Sequence, residues 1–238
     1  MALNNEIQQS ISEEFLKVAT LAKPLLPKTI DGKKAILEMK NGGSRNWRQM
    51  EWIGWWFEYF VETEIKPMLD NEVGPKYGNT TFDLRMKYIW DLKAHPNNKK
   101  DLILNDQEAV MGCVQENGGI GFIIVEGDVE YDDDKESFKN WHDKIKGGES
   151  EYVKARIARN APSRRRKISF SPTDIQGIWI DSLETLVQGQ ISGWIKGFQK
   201  NMRNADGKPR RPKFKFIPEM VPHKNIVGKI NLQQKLIN

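Results

Sequence analysis

The stretch TTFDLRMKYIWDLKAH, residues 80–95, alternates apolar and polar side chains twice over. That period-2 pattern predicts two short strands, Thr80–Arg85 and Tyr88–Ala94, close enough to form a hairpin. On the second strand Ile89, Asp91 and Lys93 share one face, and Tyr88, Trp90, Leu92 and Ala94 share the other. On the first, Phe82 and Leu84 pack into the core and Asp83 lies opposite. A register that buries both apolar sets together brings Asp83 close to Asp91. Two carboxylates and an amine then converge on one spot. Adjacent acids repel unless they share a proton or bind a cation, and Mg²⁺ is the natural hard-ion occupant of such an oxygen site. Lys93 beside it can stabilise an attacking hydroxide or a scissile phosphate, which is the apparatus of metal-assisted phosphodiester hydrolysis.

Working outward, Asn46 and Gln49 resemble a capping box that opens a helix over about 47–65, terminated by Pro67. Ile53, Trp56, Phe57 and Phe60 fall on one side of it, with Glu51, Glu58 and Glu62 opposite and Trp55 near the carboxylates. Before it lie an opening helix over 3–22, with Ile7, Ile11, Phe15, Leu16 and Ala19 at helical spacing, and a possible short strand, AILEMK (35–40). After the hairpin, Asn105 and Glu108 cap a helix over 106–116 that ends at Asn117-Gly118-Gly119. The apolar run Ile120–Val125 has the character of a strand buried on both faces. Residues 126–134 form an acidic loop, 135–150 a loop and short helix, and 151–160 a helix. Ile175–Ile180 is a strand, 182–200 a long helix, and 203–216 a turn followed by a strand alternating Lys213 and Lys215 with Phe214 and Phe216. This order predicts an α/β fold with a central mixed β-sheet flanked by helices.

Asp83, then Asp91-Leu92-Lys93, on a hairpin preceded by an acidic helix and followed by a helix and a buried strand, resembles the PD-(D/E)XK nucleases, and among them Type II restriction endonucleases. The resemblance spans about residues 44–126 and departs from the pattern at Phe82, which replaces the proline. It implies an αβββαβ core, Mg²⁺ held by Asp83 and Asp91 with the Leu92 carbonyl assisting, and Lys93 orienting or activating the water. A glutamate of the preceding helix, Glu51 or Glu58, completes the site. An acid two residues before lysine also occurs at Asp31, Glu38, Glu64, Asp133 and Asp206, so the tripeptide alone says little. The rival pairing, Asp31 with Glu38-Met39-Lys40, lacks a preceding acidic helix.

The 238 residues suit one domain or one domain with an elaborate extension. Net charge is +5, but residues 151–238 hold 18 Lys and Arg against 6 Asp and Glu, and residues 1–150 hold 19 against 26. Residues 1–150 read as an N-terminal helix and catalytic core, and 151–238 as a basic DNA-binding extension packed on the same domain. Arg164, Arg165, Arg166, Lys167, Arg203, Lys208, Arg210, Arg211, Lys213 and Lys215 are its candidate contacts to double-stranded DNA. A solvated charge run is the bland alternative for each.

Cys113, the single cysteine, reads as core and excludes an intrachain disulfide. His95, His142 and His223 lack metal-ligand spacing, and no glycine-rich phosphate loop occurs. The polar N-terminus and the lack of a long apolar run argue against a membrane span and fit a cytoplasmic protein. The resemblance further implies a prokaryotic source, a companion DNA methyltransferase, and a homodimer if the target is palindromic. Two alternatives stand beside the restriction enzyme: a repair or recombination nuclease of the same fold, and a non-catalytic DNA-binding protein.

Overall fold

Runs buried on both faces set the strand order. A computed structural model describes residues 5–69, 82–148, 151–161, 163–204 and 207–233. Helix α1 (Asn5–Leu25) buries a stripe of Ile11, Phe15, Val18, Ala19 and Ala22. Strand β1 (Ile30–Asp31) leads into α2 (Gly32–Asn41), a 3₁₀ turn (Arg45–Arg48) and α3 (Trp52–Phe60), which continues through a π-turn (Val61–Ile65). Strands β2 (Leu84–Arg85), β3 (Ile89–Pro96) and β4 (Leu102–Asp106) precede α4 (Gln107–Asn117) and β5 (Ile120–Tyr131). Then come α5 (Ser137–Ile145), α6 (Glu151–Ala158), β6 (Lys167–Ile180), α7 (Leu183–Ser192), β7 (Ile195–Phe198), β8 (Lys213–Phe216) and β9 (Ile226–Asn231).

The fold is α/β with a mixed central sheet. Its order is β1-β6-β5-β3-β2, with β9 also on β6; β3 and β5 run parallel and the other pairs antiparallel. A second, antiparallel sheet has the order β4-β8-β7. Alternation along β5 sends Ile123 and Val125 into a core shared with α1, α2 and α3, and Phe122 and Ile124 into one shared with α4, α7 and the second sheet. The basic C-terminal portion supplies β6 and β9 to the central sheet, so both portions build the same two cores. No helix among the described residues is long and apolar enough to cross a membrane.

Two close approaches set this packing. Gly177 of β6 and Gly228 of β9 are register partners, and a Cβ on either would meet the Phe15 ring at 2.5 Å. Their missing side chains let α1 lie flat on the sheet. Gly121 of β5 is opposite Trp90 of β3, whose indole occupies the space of the absent Cβ.

Several elements differ from the sequence reading. AILEMK is the body of α2, not a strand: Ala35, Ile36 and Met39 bury one helical face, and Asp31 caps it by accepting the Lys34 N–H at 2.9 Å. Asp31 is thus the cap of a helix and Glu38 lies within it, so the strand that the rival site needs is not formed. Asn46 and Gln49 do not cap α3; Ser44 caps the 3₁₀ turn, Gln49 is extended, and α3 begins at Trp52. The acidic run after Val125 prolongs β5 to Tyr131, because Asp128 and Glu130 point to solvent from a strand still paired with β6. The helix expected over 182–200 stops at Ser192, where Gly193 takes a left-handed φ of 84°, and β7 follows. The first hairpin strand is only Leu84–Arg85, with Thr80 and Thr81 outside the described residues. Phe82 precedes the pairing and packs against the second core, whereas Leu84 enters the first. The alternation of KFKF in β8 is as expected, with Phe214 and Phe216 buried.

Gly121→Ala forces a methyl group into the Trp90 ring, 2.1 Å from the ideal Cβ position. Urea unfolding should show a loss of about 1–3 kcal/mol; an unchanged midpoint would contradict the close packing.

Candidate active site

The hairpin is short, and that shortness builds the site. Beyond Leu84, among the described residues, pairing with β3 continues through the Asp83 N–H, which donates to the Trp90 carbonyl at 3.1 Å. The next N–H on that edge, that of Leu92, donates to a side chain, Asp83 Oδ2, at 2.8 Å. Asp83 is thereby fixed beside Asp91.

Asp91 is 2% exposed. Its Oδ1 accepts from Asn105 Nδ2 at 2.9 Å, and its Oδ2 is ion-paired with Lys93, whose ammonium also donates to the Leu92 carbonyl at 3.1 Å. Glu58 reaches the same corner from α3. Burial pushes its carboxyl up to about 7, with Lys93 opposing the rise and Asp91 adding to it. Burial, then Asp91 and Glu58, raise Asp83 well above the usual carboxylate range, against Lys93 and the Leu92 N–H. For Lys93 burial alone would lower the pKa, but Asp91, Asp83 and Glu58 together hold it above its ordinary value. The structure therefore brings together Asp83, Asp91, Lys93 and Glu58.

Glu51, exposed at the start of α3, lines the same cleft as Glu58 and is ion-paired with Lys167. Glu62 is ion-paired with Lys66 at 2.5 Å. Of the three helix acids only Glu58 is electrostatically joined to the Asp91 cluster.

The cluster lies where two clefts meet. One of about 780 Å³ is lined by Trp55, Tyr59, Phe82, Asn105 and Asp106 as well as the four charged groups. The other, of about 460 Å³, shares Glu58, Leu92 and Lys93 and is bordered by Lys99, Arg164, Lys167 and Lys215.

The other basic candidates have mixed surroundings. Arg165 pairs with Asp134 at 3.1 Å; Arg211 and Lys213 pair with Asp106 at 3.3 and 3.6 Å; Lys215 pairs with Asp101. Arg203 donates to the Gly207 carbonyl at 2.8 Å, Lys208 is exposed, and Arg210 is half-buried. Arg166 is 7% exposed and its guanidinium pKa is lowered by burial, which removes it from the surface contacts expected of it.

Asn105 and Lys99 were not foreseen as site residues. Asn105 looked like a helix cap because β4 is too short to announce itself. Between Ile103↔Lys215 and Asp106↔Lys213 the pairing gains an extra residue on β4. Such a bulge re-aims side chains, and here the Asn105 amide reaches Asp91. Cys113 is buried with its thiol pushed up to about 11 by burial, and His142 is buried with Nε2 on the Trp47 carbonyl at 2.9 Å. His95 is buried and His223 exposed.

Whether Mg²⁺ suits these residues turns on the donor set. Asp83, Asp91, Glu58 and the Leu92 carbonyl are all hard oxygen donors, which is the chemistry Mg²⁺ prefers. The Lys93 ammonium contacts Asp91 and the Leu92 carbonyl, so a positive charge already sits on two of those donors. Among the described residues no three His, Cys, Asp or Glu stand ready-made as a metal cage. The residues fit the ion chemically, and binding requires Lys93 to yield those oxygens.

A carboxyl raised on folding binds more protons in the folded chain than in the unfolded one, so stability falls as pH rises across the interval. For Glu58 that interval runs from 4.5 to about 7. Thermal unfolding without metal should show Tm decreasing between those values, with a shallower decrease in Glu58→Gln. An identical pH profile for the two proteins would contradict the burial of an ionisable Glu58. No family model, curated protein or solved structure is similar enough to this chain to match it, so the functional reading rests on this geometry.

Proposed function

We propose that the protein is an Mg²⁺-dependent endonuclease that hydrolyses phosphodiester bonds of double-stranded DNA, of the Type II restriction kind. The observation that carries this reading is the convergence of Asp83, Asp91, Glu58 and Lys93 between a cleft and a cation-bordered surface. The β2–β3 hairpin, α4 and β5, with α3 in front, support its resemblance to the PD-(D/E)XK core.

Asp83, Asp91 and the Leu92 carbonyl are the residues that would hold Mg²⁺. When bound, the ion supplies Lewis-acid polarisation of a phosphoryl oxygen and lowers the pKa of water. Lys93 places its ammonium beside the reacting phosphate and stabilises the negative charge that grows there. Glu58, with a pKa near neutrality, is matched to accept the proton of the attacking water. Water oxygen bonds to phosphorus, the bond to the 3′-oxygen breaks, and that oxygen takes a proton from solvent, leaving 5′-phosphate and 3′-hydroxyl ends. Lys99, Arg164, Lys167 and Lys215 would neutralise neighbouring phosphates along the second cleft.

Plasmid or phage DNA incubated with the protein and Mg²⁺ should yield discrete fragments, and chelator should abolish them. Lys93→Ala and Asp91→Ala should each lower the rate about 10²-fold or more. Fragments that persist in chelator, or in both variants at the original rate, would sink the assignment.

A further inference from the structure

Two features of the sequence remain without a role: Phe82, which stands where the nucleases carry proline, and Trp55, which shares a helix face with carboxylates. The structure gives them one location. Trp55, Glu58, Tyr59 and Glu62 are spaced three and four residues apart on α3 and its continuation, so they form one face, and all four line the larger cleft. The other aromatic residues of α3, Trp52, Trp56, Phe57 and Phe60, are buried in the core, whereas Trp55 and Tyr59 are only half-buried. Phe82, also half-buried, borders the same cleft from the hairpin side, next to Asp83. Glu58 and Asp83 thus each have an aromatic neighbour on the lining of the cleft.

We propose that this cleft holds one nucleobase, drawn out of the helical stack beside the phosphate to be cut, with Trp55 and Tyr59 on the helix side and Phe82 on the hairpin side. The placement of that phosphate rests on the nuclease reading. Flat aromatic faces bind bases of any identity, because every base has a π-face to stack. The volume, about 780 Å³, falls in the range of small-ligand pockets and suits a nucleotide rather than a duplex. Asp91 lines this cleft while only 2% exposed, so a phosphate would meet the charged cluster through the cleft and not on the outer surface of the protein. Asn46 and Asp106 on the cleft lining offer a donor and an acceptor to the edge of such a base.

Unstacking costs free energy, and a base already outside the helix has met that cost. The test uses short labelled DNA duplexes in chelator, with binding read by fluorescence anisotropy. One duplex is fully matched, one carries a bulged adenine, and one carries a bulged abasic nucleotide. The bulged adenine should bind about tenfold more tightly than the matched duplex. That gain should vanish with the abasic bulge, vanish in Trp55→Ala and return in Trp55→Phe. Because the abasic arm leaves the protein untouched, it decides the matter even if Trp55→Ala fails to fold. Equal binding of matched and bulged-adenine duplexes overturns the proposal, as does a gain that survives removal of the base. Cleavage with Mg²⁺ is read separately. An adenine-dependent gain without cleavage of any duplex removes the nuclease reading and keeps the base site. Cleavage without that gain removes the base site alone.

Discussion

Three carboxyl groups and one ammonium share a desolvated corner, and the remainder of the site answers to that constraint. If Asp83, Asp91 and Glu58 were all ionised, Lys93 could balance only one of them in surroundings where uncompensated charge is costly. The structure resolves the conflict by raising Asp83 and Glu58 above the usual carboxylate range and keeping the lysine charged. On the nuclease reading proposed above, a divalent cation would replace protons as the neutralising charge of this corner. A purely structural ion pair would need only Asp91 and Lys93; the two further acids are what point to chemistry.

The fold spends several devices on holding that corner in place. Glu14 of α1 collects the hairpin turn, accepting the N–H groups of Lys87 and Tyr88 at 2.7 and 3.2 Å and the Trp90 indole at 3.0 Å. The same helix lies flat on Gly177 and Gly228, so the hairpin is tied to the central sheet through α1 as well as through β3. On the other side the β4 bulge delivers Asn105 to Asp91, while its neighbour Asp106 pairs with Arg211 and Lys213. The acidic and basic portions of the chain are therefore not electrically separate. Ion pairs such as Glu51–Lys167 and Asp101–Lys215 join them along the second cleft. Most are partly exposed, and each contributes little to stability on its own. A polyanion could compete for these cations at small cost.

Period-2 alternation made the 80–95 hairpin legible, because strand geometry alone places Asp91 and Lys93 on one face. The buried strand at Ile120–Val125 and the KFKF strand were legible for the same reason. Short elements were not. AILEMK has a helix's buried spacing, but six residues carry little periodic signal, and the Asp31 cap lies outside them. Strands β4 and β9 owe their existence to partners distant in sequence. The sequence narrowed the helix glutamate to Glu51 or Glu58, and only the path of α3 separates them, since Lys167 comes from β6 to take Glu51. Among the basic residues, charge runs gave composition but not exposure, so buried Arg166 was indistinguishable from its exposed neighbours.

If the proposed Mg²⁺ site is real, the ion displaces protons from this corner. Isothermal titration of Mg²⁺ near pH 7, in two buffers of different ionisation enthalpy, counts the protons released on binding. About one proton or more should be released per ion bound, with binding weakened in Asp83→Asn. Binding without proton release, or binding unaffected by that substitution, would contradict the proposed site.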